Sequence, residues 1–175
     1  MESTELIVHP VRLRIINAFG GERELTTTQL CAALPDVHKA TVYRQVALLA
    51  DNDVLEVVHE RRSRGAVERT FRLNRARATI GADQVAAATR SDHRTTFAIA
   101  LSALIAEFGG YLDRPDADPT RDLVGYRQHS IWLSPDEAEA LVVGLREAIT
   151  PFIANKPDST RTRYVLSPIV FPAAG

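Results

Sequence analysis

The chain of 175 residues contains a single cysteine, Cys31. One cysteine excludes an intramolecular disulfide and any zinc site that needs two or four cysteines from the same chain. The uncharged apolar runs are far shorter than the ~20 residues that cross a bilayer, so we expect no membrane span. The first residues have neither the basic nor the apolar region of a secretory signal, so we expect none. These absences favour a cytoplasmic protein.

The sequence also lacks the motifs of the common enzyme classes. It has no glycine-rich phosphate loop, no Gly-x-Ser-x-Gly and no paired-histidine helix motif. Nothing gathers a nucleophile, a base and an orienting group at a recognisable spacing. We therefore predict no catalytic residues, no cofactor and no enzymatic activity.

The histidines do not form a metal-binding pattern. His93 follows Asp92 but has no second histidine along the same predicted helix, and the other histidines lie in different predicted elements. A metal site needs several converging ligands. We predict that Cys31 packs as a small apolar side chain and that no metal is bound.

The charge is unevenly distributed, although the chain as a whole carries only −1. Residues 1–80 hold 12 basic and 10 acidic side chains, whereas residues 81–175 hold 9 and 12. Within the first half, residues 39–77 hold 9 basic and 5 acidic side chains, and all but one of the basic ones are arginine. Such a stretch suits either an anionic partner or an ordinary solvated surface.

The first half predicts three helices followed by a hairpin. A helix is predicted over 11–19, after the helix-starting Pro10, and it ends at a Gly-Gly pair. Thr26 and Gln29 form a capping box for a short helix, which the Pro-Asp pair at 35–36 ends. A second helix begins near 37–39 and runs to about 50, which gives a helix-turn-helix. Branched apolar residues predict strands at 54–58 and 67–73, joined by an arginine-rich tip.

A helix, a helix-turn-helix and a basic hairpin in this order are typical of a winged helix-turn-helix domain. Three stretches resemble ArsR-type bacterial repressors: His9-Pro-Val-Arg-Leu-Arg-Ile-Ile16 their first core helix, 39–49 their recognition helix, and 53–57 with 64–73 their wing. The resemblance covers about residues 9–73. It implies double-stranded DNA as the partner. Metal-sensing members commonly carry a Cys-x-Cys motif or a carboxylate and histidine cluster, neither of which is found here.

The second predicted helix of this domain suits the DNA major groove, where base edges present a sequence-specific pattern. Its inner face is predicted to hold Val42, Val46 and Leu49. Its predicted DNA contacts are Lys39, Thr41, Tyr43 and Arg44.

The predicted hairpin supplies a second set of contacts. Its tip suits a narrow minor groove or the flanking phosphates, and the strands can add phosphate contacts. We expect about one of its arginines to pair instead with Glu60 or Glu68. The arginines concerned are Arg61, Arg62 and Arg64 at the tip, with Arg69 and Arg72 on the return strand.

The second half predicts two long helices and two strands. Ser91 is predicted to cap a helix over 92–112, whose apolar stripe consists of Phe97, Leu101, Leu104, Ile105 and Phe108. A strand is predicted over 124–133. A capping box from Ser134 to Glu137 starts an amphipathic helix over 135–153. An edge strand is predicted over 163–171.

We therefore predict an α+β protein, with a winged helix-turn-helix over 1–78 and a smaller α/β dimerisation or effector domain over 79–175. The predicted function is that of a repressor that binds a palindromic operator as a homodimer and is released by a small organic effector. The alternatives are a winged-helix module that binds protein rather than DNA and a metal-responsive repressor. The candidate effector pocket, whose residues individually favour an ordinary core, consists of Phe97, Tyr111, Tyr126, Trp132 and Phe152.

Overall fold

The computed structural model describes residues 6–20, 22–63, 66–79 and 81–173. Helices and a small sheet alternate in the first part, and helices alone follow in the second. The elements are α1 (Pro10–Ala18), β1 (Glu24–Thr26), α2 (Thr27–Ala33), α3 (Lys39–Asp51), β2 (Leu55–Ser63), β3 (Ala66–Leu73), α4 (Ala82–Ala87), α5 (Arg90–Leu112) and α6 (Pro135–Ile153).

The first two helices begin as the sequence predicts. Pro10 opens α1, and the Nδ1 atom of His9 caps it by accepting a hydrogen bond from the backbone N–H of Val11 at 3.2 Å. At α2 the Thr26 hydroxyl accepts from the N–H of Gln29 at 3.2 Å, and the Gln29 side chain accepts from the N–H of Thr26 at 2.8 Å. This confirms the capping box, which satisfies two backbone donors that a helix start otherwise leaves unpaired.

The sheet has three antiparallel strands in the order β1-β3-β2. The hairpin β2–β3 confirms the predicted wing, although its strands are longer than predicted, and an irregularity in register lies between Val57 and His59. The strand β1 was not predicted. It is three residues long and pairs with β3, with Leu25 opposite Phe71.

One hydrophobic core holds this domain together. Its largest fully buried side chains come from every helix of the domain and from the start of the wing. Burying a side chain of this size stabilises a fold by about 1.5–3 kcal/mol. These side chains are Ile15, Phe19, Leu30, Leu34, Val42, Leu49, Val54 and Leu55. The α+β winged helix-turn-helix is thereby confirmed.

The long helix α5 differs from its prediction in both cap and face. Its N-cap is Thr89 rather than Ser91, because Thr89 and Asp92 form a reciprocal capping box. The predicted stripe is wrong at Phe97 and Ile105, which are 44% and 72% exposed, whereas its other three members are half-buried. The buried position is Ala103, on the side that packs against α1. Apolar residues surround this helix, so their spacing does not define a single buried face.

The helix α6 begins at the predicted capping box, in which Ser134 and Glu137 satisfy each other's backbone N–H groups. Its apolar face is only half-buried, and among the described residues no side chain of α6 is fully buried. The predicted stripe is therefore formed but largely uncovered.

The two strands predicted in the second half are not formed. Residues 124–133 and 163–171 belong to no strand or helix. A strand needs a neighbour to accept and donate its ladder hydrogen bonds, and the sheet of the described chain uses only β1, β2 and β3. The prediction of strands at 124–133 and 163–171 is therefore wrong.

By length and composition alone, α5 is long and apolar enough to cross a membrane, the one such helix in the described ranges. The prediction of no membrane span, which was made from uncharged runs, overlooked this helix because Glu107 interrupts it. An apolar core helix meets the same criterion.

Candidate nucleic-acid interface

The turn between α2 and α3 is held in place by a buried arginine. Arg14 of α1 has a side chain only 6% exposed, and it donates two hydrogen bonds, each 2.7 Å long, to the two carboxylate oxygens of Asp36. This contact lowers the pKa of Asp36 and raises the pKa of Arg14, because each charge stabilises the other. Asp36 lies just before α3, so the pair fixes where that helix starts.

The helix α3 has a buried face and a solvent face, as predicted. Val42, Val46 and Leu49 are buried. Lys39 and Arg44 are exposed, Tyr43 is 52% exposed and Thr41 is half-buried. The four predicted contact residues of α3 thus lie outside the core.

One buried polar residue of α3 was missed by the sequence analysis. The side-chain oxygen of Gln45, a residue 6% exposed, accepts a hydrogen bond from Arg12 Nη1 at 3.2 Å. Gln45 lies next to Val46 on the buried side of α3, and its contact with α1 orients the helix on the domain. Because Gln45 is polar, the spacing of apolar residues along α3 did not indicate that it is buried.

His9 connects the cap of α1 to the charged face of α3. Burial lowers its pKa, and the positive charges of Arg12 and Arg44 lower it further. A neutral imidazole has a free ring nitrogen to accept a hydrogen bond, which is what the cap at Val11 requires.

The wing presents arginines in two different states. Arg61 and Arg62 are exposed near the hairpin tip, while Arg64 lies outside the described residues. Arg69 Nε donates to Glu60 at 2.8 Å, and Arg72 donates to Glu56 at 3.1 Å. The prediction that about one arginine pairs with Glu60 or Glu68 is confirmed at Arg69, whereas the pair between Arg72 and Glu56 was not predicted. Both pairs are about half-exposed, and exposed pairs contribute about 0–1 kcal/mol, so phosphate can compete for these arginines.

The five aromatic residues of the candidate effector pocket are not gathered at one place. Phe97 contacts Phe171, with ring centroids 6.3 Å apart, while Phe108 contacts both Tyr111 and Tyr126. Trp132 is 96% exposed and Phe152 is 69% exposed. The interpretation of these residues as an ordinary core is wrong for those that lie in solvent.

Two grooves of the described chain lie elsewhere. A groove of about 490 Å³ separates the wing from the second half, between the acidic Glu22, Glu24 and Glu56 and the basic Arg72 and Lys156. A second groove of about 310 Å³ is lined by side chains that include Ile16, Phe19 and Ile153. None of the five predicted pocket residues lines either groove. In the part of the chain that the structure describes, no group of three or more His, Cys, Asp or Glu side chains is arranged to hold a metal.

Residues 7–58 match the family model of a helix-turn-helix domain. The match covers α1, α2, α3 and the first part of β2. No curated protein matches the chain. The helix-turn-helix match supports a DNA-binding regulator in general, and it does not extend to residues 59–175.

Proposed function

We propose that the protein is a cytoplasmic transcriptional repressor of the ArsR type, which binds a palindromic operator as a homodimer. Residues 1–78 bind the DNA, and residues 79–175 pair the two copies. The observation that carries the proposal is the solvent face of α3, where Lys39, Tyr43 and Arg44 stand exposed beside a fully buried opposite face. A helix so presented fits the major groove.

The wing supports the same function. Arg61 and Arg62 are exposed and project from a hairpin, the element that reaches phosphates or the minor groove beside a recognition helix. Thr41 and Arg69 add contacts at the edges of these two elements, and Arg64, which lies outside the described residues, adds a third positive charge to the sequence between β2 and β3. Positive charge on both elements distinguishes this proposal from a winged helix that binds protein.

A homodimer is part of the proposal because one winged helix reads only a few base pairs. Two copies related by a two-fold axis double the contacts and match an inverted repeat in the operator. Release by a small organic effector is the last part. It is supported by the aromatic cluster of residues 79–175, in which Phe108 contacts Tyr111 and Tyr126.

The test begins with selection of bound fragments from genomic DNA by mobility shift. On the operator so recovered, Arg44→Ala should weaken binding by roughly 1–3 kcal/mol while folding is unchanged, since an exposed groove contact is lost. Arg146→Ala is the matched control, because it removes an exposed arginine from a helix outside the DNA-binding domain.

Three results would contradict this assignment. Failure to recover any DNA would favour the protein-binding module. Equal losses for the Arg44 and Arg146 variants would show that α3 contributes only net charge. Release of the operator by zinc would favour a metal-responsive repressor.

A further inference from the structure

Arg14 connects three parts of the chain. From its place in α1, the Nη1 and Nη2 atoms each donate a 2.7 Å hydrogen bond to Asp36, which lies between α2 and α3. Its Nε atom lies 3.7 Å from Oε1 of Glu107, a residue of α5. The side chains of Arg14 and Glu107 are only 6% and 12% exposed, so water screens their charges little. One buried guanidinium therefore joins α5 to the turn of the helix-turn-helix.

Glu107 also contacts the last segment of the chain, which consists of residues 154–173. Arg163 Nη2 donates a 2.8 Å hydrogen bond to Glu107 Oε2. Further along the segment, Phe171 packs edge-on against Phe97, with the ring centroids 6.3 Å apart. Because Phe97 precedes Glu107 in α5, the last segment runs along α5 toward the start of that helix. We name Asp36, Arg14, Glu107 and Arg163 the charge chain.

The two arginines of the charge chain compete for the position of Glu107. Arg14 Nε is buried and has no hydrogen-bond partner in the described ranges, since 3.7 Å is longer than a hydrogen bond. A buried donor without an acceptor is unfavourable. A shift of Glu107 by about 1 Å toward Arg14 would supply that acceptor. The hydrogen bond from Arg163 opposes this shift.

The last segment is attached by contacts that break easily. No side chain of residues 154–173 is buried, and the Arg163 side chain is 43% exposed. A further ion pair to the first half, between Lys156 and Glu22, is exposed and has its charged atoms 4.0 Å apart. Exposed ion pairs are weak, and a segment with few buried contacts opens without unfolding of the domain. Arg163 can therefore be bound to Glu107 or released into water.

We propose that Arg163 is a positioning residue for the recognition helix α3, and that its release from Glu107 lowers the affinity for the operator. This inference deepens the proposed function and rests on it. When Arg163 leaves, Glu107 pairs with Arg14 Nε, and the guanidinium turns toward α5 and away from Asp36. Asp36 lies just before α3, so the start of that helix loses its anchor. A partner that detaches the last segment thereby releases the operator.

The first test compares operator affinities at one salt concentration. Arg163→Ala should weaken binding about 5-fold or more, whereas Arg163→Lys keeps a charge beside Glu107 and should restore most of the affinity. Arg161→Ala is the matched control. It removes the same charge from the same segment, but Arg161 pairs locally with Asp158 at 2.9 Å, so its affinity should remain near that of the parent. Equal affinities for Arg163→Ala and Arg161→Ala would overturn the proposal.

The second test asks whether Arg163 acts through Glu107. In a Glu107→Ala background no carboxylate draws Arg14 away from Asp36, so Arg163→Ala should cause no further loss of affinity. An arginine that itself touched DNA would cause the same loss in both backgrounds. It would also change the slope of log affinity against log salt. Additive losses therefore overturn the proposal.

The third test needs no DNA. The NMR signal of the Arg14 Nε–H group, identified by its loss in Arg14→Lys, should move downfield in Arg163→Ala, because that group then donates to Glu107. The signal should stay in place in Arg161→Ala. An unmoved signal in Arg163→Ala would contradict the competition for Glu107.

The outcomes separate this inference from the proposed function. A protein that recovers no operator contradicts the proposed function and with it the control of affinity, while the Arg14 signal still tests the competition within the charge chain. Operator binding that is unchanged in Arg163→Ala contradicts the inference alone. A loss of affinity that Glu107→Ala suppresses, together with a shifted Arg14 signal, establishes both.

Discussion

The two halves of the chain use their apolar residues in opposite ways. Of the fully buried apolar side chains in the described ranges, all but Ala103 lie in residues 6–71. Of the large apolar side chains that are exposed, all but Tyr43, Val57 and Val67 lie beyond residue 80. The first half closes around a core of its own, whereas the second half presents its apolar surface outward.

This difference shows that burial depends on a partner as well as on composition. In the first half, α1, α2, α3 and the wing surround each other, so each apolar stripe faces another. In the second half, α5 packs on α1 by one side, and no helix or strand of the described chain packs extensively on α6. In our proposal a second copy supplies the missing partner. The first half folds around its own core, and the second half is covered when two copies pair.

The largest effect should come from the core of the first half. Leu49 is 0% exposed, and Leu49→Ala should lower the free energy of unfolding by about 2–5 kcal/mol, because it removes buried contacts and leaves a cavity. Chemical denaturation at several protein concentrations measures this loss. The loss for Leu49→Ala should be the same at every concentration, because Leu49 belongs to a core that each copy forms by itself. Concentration-dependent behaviour of Leu49→Ala would break the comparison.

A smaller effect is expected at the ion pairs that join the halves. Glu107 contacts Arg14 of α1 and Arg163 of the last segment, and its side chain is 12% exposed. Glu107→Ala should lower stability by roughly 1–3 kcal/mol, because Arg14 loses a buried counter-charge. Glu139→Ala, at an exposed site of α6, is the control and should change stability little. Equal results for the two variants would mean that the halves are not joined through Glu107.

The smallest effect concerns pH and the first half alone. Because the pKa of His9 is lowered in the fold, the unfolded chain binds that proton more readily, and stability should fall as the pH drops below about 6.5. His9→Asn keeps a side-chain acceptor at the cap and removes the titration. Thermal unfolding between pH 5 and pH 8 should therefore vary less for His9→Asn than for the parent. An unchanged profile would assign the pH dependence to other groups.

Local sequence signals predicted the first half well. The capping box at Thr26 was found because it involves residues three apart, and the start of α2 followed from it. Two arginines of the wing pair with glutamates across the hairpin, which depends on the register of two strands. The strand β1 was missed because three residues become a strand only through pairing with β3.

The second half was predicted less well for a physical reason. In α5 the apolar residues lie on all sides, so the face that packs on α1 was set by Ala103 and Glu107 rather than by the bulky Phe97 and Ile105. Residues 124–133 were predicted as a strand, but no neighbouring strand of the described chain pairs with them. The spacing of apolar residues indicates which side chains favour burial, but it does not indicate which surface buries them.

The salt dependence of operator binding tests the central claim most directly, since it measures whether the wing holds phosphates. We expect log affinity to fall linearly with log salt for the parent protein. Replacing Arg61, Arg62 and Arg64 by alanine should flatten that slope by up to about one unit for each lost phosphate contact, with mass in solution unchanged. A triple variant that keeps the parental slope would place the hairpin away from the DNA and contradict the account.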